Sequence, residues 1–185
     1  MCEKKYGSLK EYKNCFFMCI GTGIGGAFFY NDELVTGGEY PGYEIGHMII
    51  EKNGKLCKCG KRGCFEAYAS MKNFGENVRN KLGIEKEING KELFEILKND
   101  ESYRKVEMVV NEFIADLSIG ISNIINIFEP EAISIGGSFA YYEEHFLDKI
   151  NEFMKKQNLI YNKSKKTKIV MASMQNDAGI IGACM

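Results

Sequence analysis

The stretch "CIGTGIGGAFFYN", residues 19–31, decides how the rest of the chain is read, because its glycines at 21, 23 and 26 have the G-x-G-x-x-G spacing of a dinucleotide-binding loop. That fingerprint needs a strand before the glycines and a helix after them, since the helix N-terminus carries the pyrophosphate. The strand before is there: "NCFFMCI" (14–20) is a continuous apolar run suited to a buried strand. The helix after is not. "GAFFYNDELV" is aromatic and broken by the turn pair Asn31-Asp32, so it predicts a second strand and a hairpin. A dinucleotide site would also want an acidic residue about 20 residues on, at the end of a further strand, and none stands there. The Rossmann reading is excluded. A glycine turn between antiparallel strands can still present backbone N–H groups and the Thr22 hydroxyl to a phosphate, or it can be a plain tight turn.

Working outward, a third strand is expected near 33–36, and "GHMIIEKNG" (46–54) predicts a short strand closed by an Asn-Gly turn. A helix is expected from Phe65 to about Leu82, with Gly83 ending it. "GKELFEILKND" predicts a short amphipathic helix. Val106, Val110, Phe113, Leu117, Ile121, Ile124 and Phe128 then recur at helical steps, in a long helix that stops before Pro130. A strand at 132–138 runs into a second glycine pair, Gly136-Gly137. A helix at about 141–156, a strand at 168–173 and a helix capped by Asn176 or Asp177 complete the chain. Strands first, then helices alternating with single strands, argue an α/β domain with a mixed sheet. If the glycine turns at 21–26 and 136–137 share a sheet edge, they could clamp one ligand between them.

The bulk numbers fit one domain with a proper core: 185 residues, 45% hydrophobic, formal net charge −1. A near-neutral balance gives no electrostatic case for nucleic acid or membrane binding. Uninterrupted apolar runs fall far short of a bilayer span, and the N-terminus lacks the apolar region of a signal peptide. The seven cysteines are odd in number and clustered, which favours a metal over a disulfide framework.

The sharpest local signal is Cys57, Cys59 and Cys64, with His47 upstream. Three thiols and one imidazole are the donor set of a closed tetrahedral zinc site, structural because no position is left for water. Glycines at 60 and 63 let the loop curl until the sulfurs converge. Cys57-x-Cys59 is tighter than the usual two-residue gap, and a reduced cluster without metal, or disulfides, stay as alternatives. Glu44 lies three residues before His47 and Glu66 two after Cys64. A rigid knot would hold both carboxylates as a site for several hydroxyls, although a solvated surface glutamate is the commoner case. His145, Cys2, Cys15, Cys19 and Cys184 have no partners by spacing and are read as structural.

The run "IGTGIGGAFFYNDELVTGGEYPGYEIGHMIIEKNGKLCKCGKRGCFEAYAS" (20–70) resembles the signature of the ROK family, bacterial sugar kinases and sugar-responsive transcriptional repressors. "EIGHM" followed by "CKCGKRGCFE" follows the family's E-x-G-H…C-x-C-G-x-x-G-C-x-E pattern, and "AISIGGS" and "NDAGIIGA" extend the likeness over nearly the whole chain. The resemblance implies an α/β fold of the actin-like ATPase (ribonuclease-H-like) class. The chain would be its C-terminal lobe over residues 1–185, a mixed sheet with flanking helices and a zinc-binding loop. It implies zinc on His47, Cys57, Cys59 and Cys64, and sugar hydroxyls on Glu44, His47 and Glu66. Gly21, Thr22 and Gly23 would face ATP phosphates, and Gly136 and Gly137 the adenosine. Where the family has a small residue before the glutamate of E-x-G-H, this chain has Tyr43.

The family's N-terminal lobe, with its first phosphate loop and catalytic aspartate, has no counterpart in these residues, so no catalytic residue is assigned. The expectation is the sugar- and ATP-binding lobe of an ATP-dependent hexose kinase of glucokinase or N-acylhexosamine kinase type, inactive alone, with magnesium accompanying ATP in the full-length protein. The alternatives are the sugar-sensing lobe of a ROK repressor and a zinc-stabilised interaction domain. The resemblance further implies a cytoplasmic protein and a homodimer. Aromatic and methionine residues around 12–30 and 141–154 could serve such an interface or the core.

Overall fold

A computed structural model describes residues 1–37, 43–156 and 167–174. A short helix α1 (Cys2–Lys5) leads into strands β1 (Cys15–Ile20), β2 (Ile24–Tyr30) and β3 (Glu33–Val35). Helices α2 (Glu66–Ala69), α3 (Met71–Leu82), α4 (Gly90–Lys98) and α5 (Asp100–Phe128) follow. The described chain ends with β4 (Ala132–Gly136), α6 (Glu143–Lys156) and β5 (Lys168–Met171). The sheet order is β3-β2-β1-β4-β5, with the three N-terminal strands antiparallel and β4 and β5 parallel to β1. This is the mixed sheet with flanking helices that the element order called for. Asn31 and Asp32 both take positive φ (50° and 70°), the backbone of a two-residue hairpin turn whose twist matches its strands.

The apolar run of β1 serves two faces. Phe16, Met18 and Ile20 point into the main core with Ile133 and Ile135 of β4, against the helices. Cys15 points the other way, into a small cluster with Leu9, Phe29 and Ala132, and Phe17 packs against that cluster. The helical face is dense in aromatics: Phe74, Phe113, Phe139 and Phe146 stack in successive contacts with ring centroids 4.4–6.2 Å apart. By length and hydropathy alone α5 could cross a bilayer. Its apolar stripe, Val106 to Ile125, is instead spent on the core. The helix ends at Glu129, in the left-handed conformation (φ 42°), just before Pro130.

Three local expectations are corrected. The segment 46–54 forms no strand. Ile45–His47 is a 3-10 turn, and beyond it the backbone bonds into the cysteine loop, with Ile50 N–H and Glu51 N–H donating to Gly63 C=O and Phe65 N–H to Met48 C=O. The helix expected over 65–82 breaks at Ser70, whose extended backbone ends α2 and whose hydroxyl caps α3 by accepting from Asn73 N–H. The helix after the second glycine pair starts at Glu143, because Gly137–Tyr142 is a 3-10 turn. Tyr43 fills an aromatic cluster with Phe16, Phe28 and Phe128, which gives its bulk a place in the core's edge. Half of the aromatic and methionine side chains around 12–30 and 141–154 are buried in the core, among them Phe16, Met18, Phe29, Phe146 and Met154, so their abundance does not by itself argue for an interface. The helix expected after Asn176 and Cys184 lie outside the described residues.

Candidate functional site

The two glycine turns stand side by side. Cys19 is in register with Gly136 across the parallel β1–β4 pair, so both strands end at the same edge and both turns leave from it. Gly137 has φ +74°, and a Cβ there would come within 2.5 Å of the Ile20 carbonyl oxygen. Only glycine lets the turns lie this close. A Cβ on Gly21 would sit 3.7 Å from Ser138 Oγ of the second turn. Between them and the helices opens a cavity of about 310 Å³, walled by Gly21, Thr22, Ser138, Gly75, Arg79 and Asn89 among others. The backbone of the first turn is tied down by Met71 N–H donating to Gly21 C=O at 2.9 Å, so α3 starts against it. Lys72 and Arg79, on the face of α3 that lines the cavity, stand there beside Glu76 and Glu87, with Lys72 Nζ 3.9 Å from Glu76 Oε1, and Arg79 Nε is buried without a partner among the described residues. Lys72 and Arg79 were not singled out from sequence. The signal that could have found them is a polar stripe at 72, 76 and 79 interrupted by a mid-helix glycine, Gly75.

Glu66 lies beneath the first turn. Its residue is 7% exposed, and Oε2 accepts from Ile24 N–H at 2.9 Å. A Cβ on Gly23 would collide with that oxygen, so Gly23 is what lets the carboxylate seat against the turn. The other oxygen, Oε1, is 3.1 Å from Lys58 Nζ. Glu44, by contrast, is 84% exposed along its side chain, with Oε2 3.9 Å from His47 Nε2. The turn carrying both packs on β2, since a Cβ on Gly46 would strike the Ile24 carbonyl. Ile24 therefore joins the parts: its amide holds Glu66 and its carbonyl supports the Glu44–His47 turn.

The four metal donors expected from the sequence converge. One donor atom from each of His47, Cys57, Cys59 and Cys64 lies within 4.8 Å of all the others. Cys59 Sγ and Cys64 Sγ are 3.6 Å apart, and Cys57 Sγ is 3.8 Å from His47 Nδ1. Tetrahedral zinc with bonds of about 2.3 Å to sulfur would put its sulfurs roughly 3.8 Å apart, so the spacing suits the ion. The loop is braced by Cys57 N–H to Lys61 C=O and Gly63 N–H to Lys55 C=O, both 2.8 Å. Gly63 has φ +83°, and a Cβ there would run into the Glu51 carbonyl. Burial, with the adjoining Cys59 and Cys57 sulfurs, pushes the Cys64 thiol up to about 12, while the Lys61 amide draws Cys59 below the ordinary thiol value. A divalent cation would override both by binding the thiolates. His47 faces two ways, Nδ1 to the thiols and Nε2 to Glu44, which couples the donor cluster to the exposed carboxylate.

Among the other described cysteines, Cys19 lies beside the second glycine turn, its Sγ 3.1 Å from where a Cβ on Gly137 would lie. Cys2 and Cys15 are buried and Cys19 is exposed, all as free thiols, with Cys15 pushed up to about 11 by burial. His145 packs edge-on to Phe94 at 5.3 Å, away from the donor cluster.

An actin-like half-domain with paired glycine turns at one sheet edge and a Cys/His loop beside them agrees with what known proteins show. The sequence model of the ROK family matches residues 1–185, and the chain belongs to that family. It is 31% identical to a glucokinase of Thermotoga maritima over 194 residues, covering 98% of this chain and 60% of that protein. It is 33% identical to an N-acetylmannosamine kinase of Haemophilus influenzae (98% and 57%) and 27% identical to a xylose repressor of Caldicellulosiruptor bescii (97% and 47%). Among solved structures, a ROK family glucokinase from Streptomyces griseus, in complex with glucose and AMPPNP, superposes with a TM-score of 0.85 at 24% identity, over 98% of this chain and 62% of that one. The chain thus spans about half to three-fifths of the relatives it matches.

Proposed function

We propose that this chain is the sugar- and ATP-binding C-terminal lobe of an ATP-dependent hexose kinase, acting on a hexose or an N-acylhexosamine. The observation that carries the reading is the shared edge of the two glycine turns over a cavity of about 310 Å³, with Glu66 directly beneath the first turn. Gly21, Thr22 and Gly23 would offer backbone and hydroxyl donors to the phosphates, and Gly136 and Gly137 would let the backbone approach the adenosine. Glu44, His47 and Glu66 would take the sugar hydroxyls, since a carboxylate can accept several at once. Zinc on His47, Cys57, Cys59 and Cys64 would be structural. It would lock the loop that carries Glu66 and hold His47 by Nδ1, leaving Nε2 for the sugar side. ATP with magnesium supplies the transferable phosphoryl group, and these residues orient the two substrates and keep the thiols out of the chemistry.

Support comes from the glucokinase and N-acetylmannosamine kinase relatives and from the intact glycine turns. Similarity to xylose repressors favours a second reading, the effector-binding lobe of a transcriptional regulator. A cytoplasmic homodimer that binds no nucleic acid through these residues belongs to the first reading, and light scattering tests its oligomeric part. Isothermal titration with AMPPNP, glucose and N-acetylmannosamine separates the two: a kinase lobe binds nucleotide and sugar, a repressor lobe sugar alone. Binding of neither would leave a metal-stabilised interaction domain.

A further inference from the structure

Lys58 stands between two thiols of the donor cluster, yet its side chain leaves that cluster and crosses to the first glycine turn. Its ammonium is 3.1 Å from Glu66 Oε1 and 3.5 Å from where a Cβ on Gly23 would lie. The side chain is 68% exposed, so the cation reaches open solvent at the mouth of the turn. Glu66 is a buried carboxylate seated against that same turn, with Oε2 committed to the Ile24 amide. If the turn receives phosphates, an anion lies directly under them, and like charges at this separation oppose binding unless a cation stands between. Lys58 is placed to do that.

We propose that Lys58 is a positioning residue for the terminal phosphate of a bound nucleoside triphosphate, delivered to the glycine turn by the cysteine loop. The inference rests on the nucleotide-binding reading above. The cysteines on either side of Lys58 fix its backbone wherever the loop is locked, and four flexible methylenes let the ammonium turn from Glu66 to a phosphate oxygen. When a sugar hydroxyl donates to Glu66 Oε1, it replaces the ammonium as donor and frees it for the phosphate. The loop would then connect the sugar carboxylate to the phosphate end of the nucleotide through one residue. Lys72 and Arg79, on α3, line the cavity farther along and are suited to the rest of the nucleotide.

The test is isothermal titration of the wild-type chain, Lys58→Met and Lys58→Arg with magnesium-AMPPNP, with AMP and with glucose, alongside thermal denaturation. Lys58→Met is expected to weaken AMPPNP about three- to tenfold, the range for a charge-assisted bond discounted for solvent. AMP, which lacks the terminal phosphates, should change less than about twofold, and Lys58→Arg should recover most of the loss. The gap between wild type and Lys58→Met should narrow in about 0.5 M salt, as expected for an exposed charge. Unchanged AMPPNP affinity in Lys58→Met, or equal weakening of AMPPNP and AMP, would overturn the proposal. A change confined to glucose would reassign Lys58 as a counter-ion of Glu66 and overturn it as well. If the wild-type chain binds no AMPPNP, the nucleotide-binding reading falls, and this inference falls with it.

Discussion

Glu66 is where the fold and the proposed chemistry share one side chain, so replacing it separates them. In Glu66→Gln the amide oxygen can still accept from Ile24 N–H, now as a neutral bond, and the amide nitrogen faces Lys58 Nζ. Exchanging a charged for a neutral acceptor costs about 1 kcal/mol, the difference between roughly 1.5–3 and 0.5–1.5. The ion pair adds no more than about 1 kcal/mol, because Lys58 is largely exposed. The sum, about 1–2 kcal/mol, lowers Tm by roughly 2–8 °C at about 2–4 °C per kcal/mol for a chain of this size. Glu66→Ala additionally strands the buried Ile24 N–H, worth about 1–3 kcal/mol more, and should melt well below the Gln variant. Sugar affinity should fall about tenfold or more in Glu66→Gln, because one charge-assisted acceptor is lost at the site. AMPPNP affinity should not fall, because losing the anion beneath the turn relieves repulsion there and frees Lys58. Differential scanning calorimetry and titration with glucose and N-acetylmannosamine read all of this. Equal melting temperatures for the Gln and Ala variants would refute the structural part, and unchanged sugar affinity in a folded Gln variant the functional part.

Glu44→Gln should weaken sugar by about tenfold with no change in Tm, since its carboxylate is exposed and bonds nothing in the core; a matching fall in Tm would contradict this. Elemental analysis of protein purified without chelator should find one zinc per chain, and chelation or Cys64→Ser should lower Tm and loosen sugar binding through the loop beneath Glu66; metal-free protein of unchanged stability would rule the site out. Burial by itself would raise the Glu3 carboxyl, but the amides of Met174 and Ser8 and the Ser8 hydroxyl outweigh it and hold it below the ordinary range. The stabilisation is therefore full above the unfolded value of roughly 4.3 and is lost as pH falls through the lower folded value, so wild type and Glu3→Gln should differ in Tm at pH 7 and converge in acid. A coupled ADP-release assay on these 185 residues should show no sugar-dependent turnover. Asp32 is paired with Lys4 at the hairpin, Asp100, Asp116 and Asp148 sit in helices, and Asp177 lies outside the described residues; turnover near the usual range of about 1–100 per second would place a catalytic base within this chain.

Much of this was legible from local rules. The aromatic run after Gly26 and the Asn31-Asp32 pair force a hairpin, because β-branched and aromatic side chains with a tight turn leave no helix to build. The periodic stripe from Val106 to Phe128 marks the core helix, and three thiols with one histidine announce a donor set. Each of those signals lies within one continuous stretch of chain. One failure shows what local rules miss. Residues 46–54 hold a short apolar run ahead of an Asn-Gly turn, but the Ile50 and Glu51 N–H groups find a carbonyl in the cysteine loop, and a partner of that kind is invisible from either segment alone. Only the tertiary structure decided that Cys19 and Gly136 lie in register, which turns two separate glycine motifs into one site. It also decided that Lys58 leaves the thiols for Glu66, and that Lys72 and Arg79 wall the cavity. Sequence fixes which groups are present and how the nearby backbone turns. Their meeting depends on strand pairing and helix packing across more than a hundred residues, energies that no local window contains.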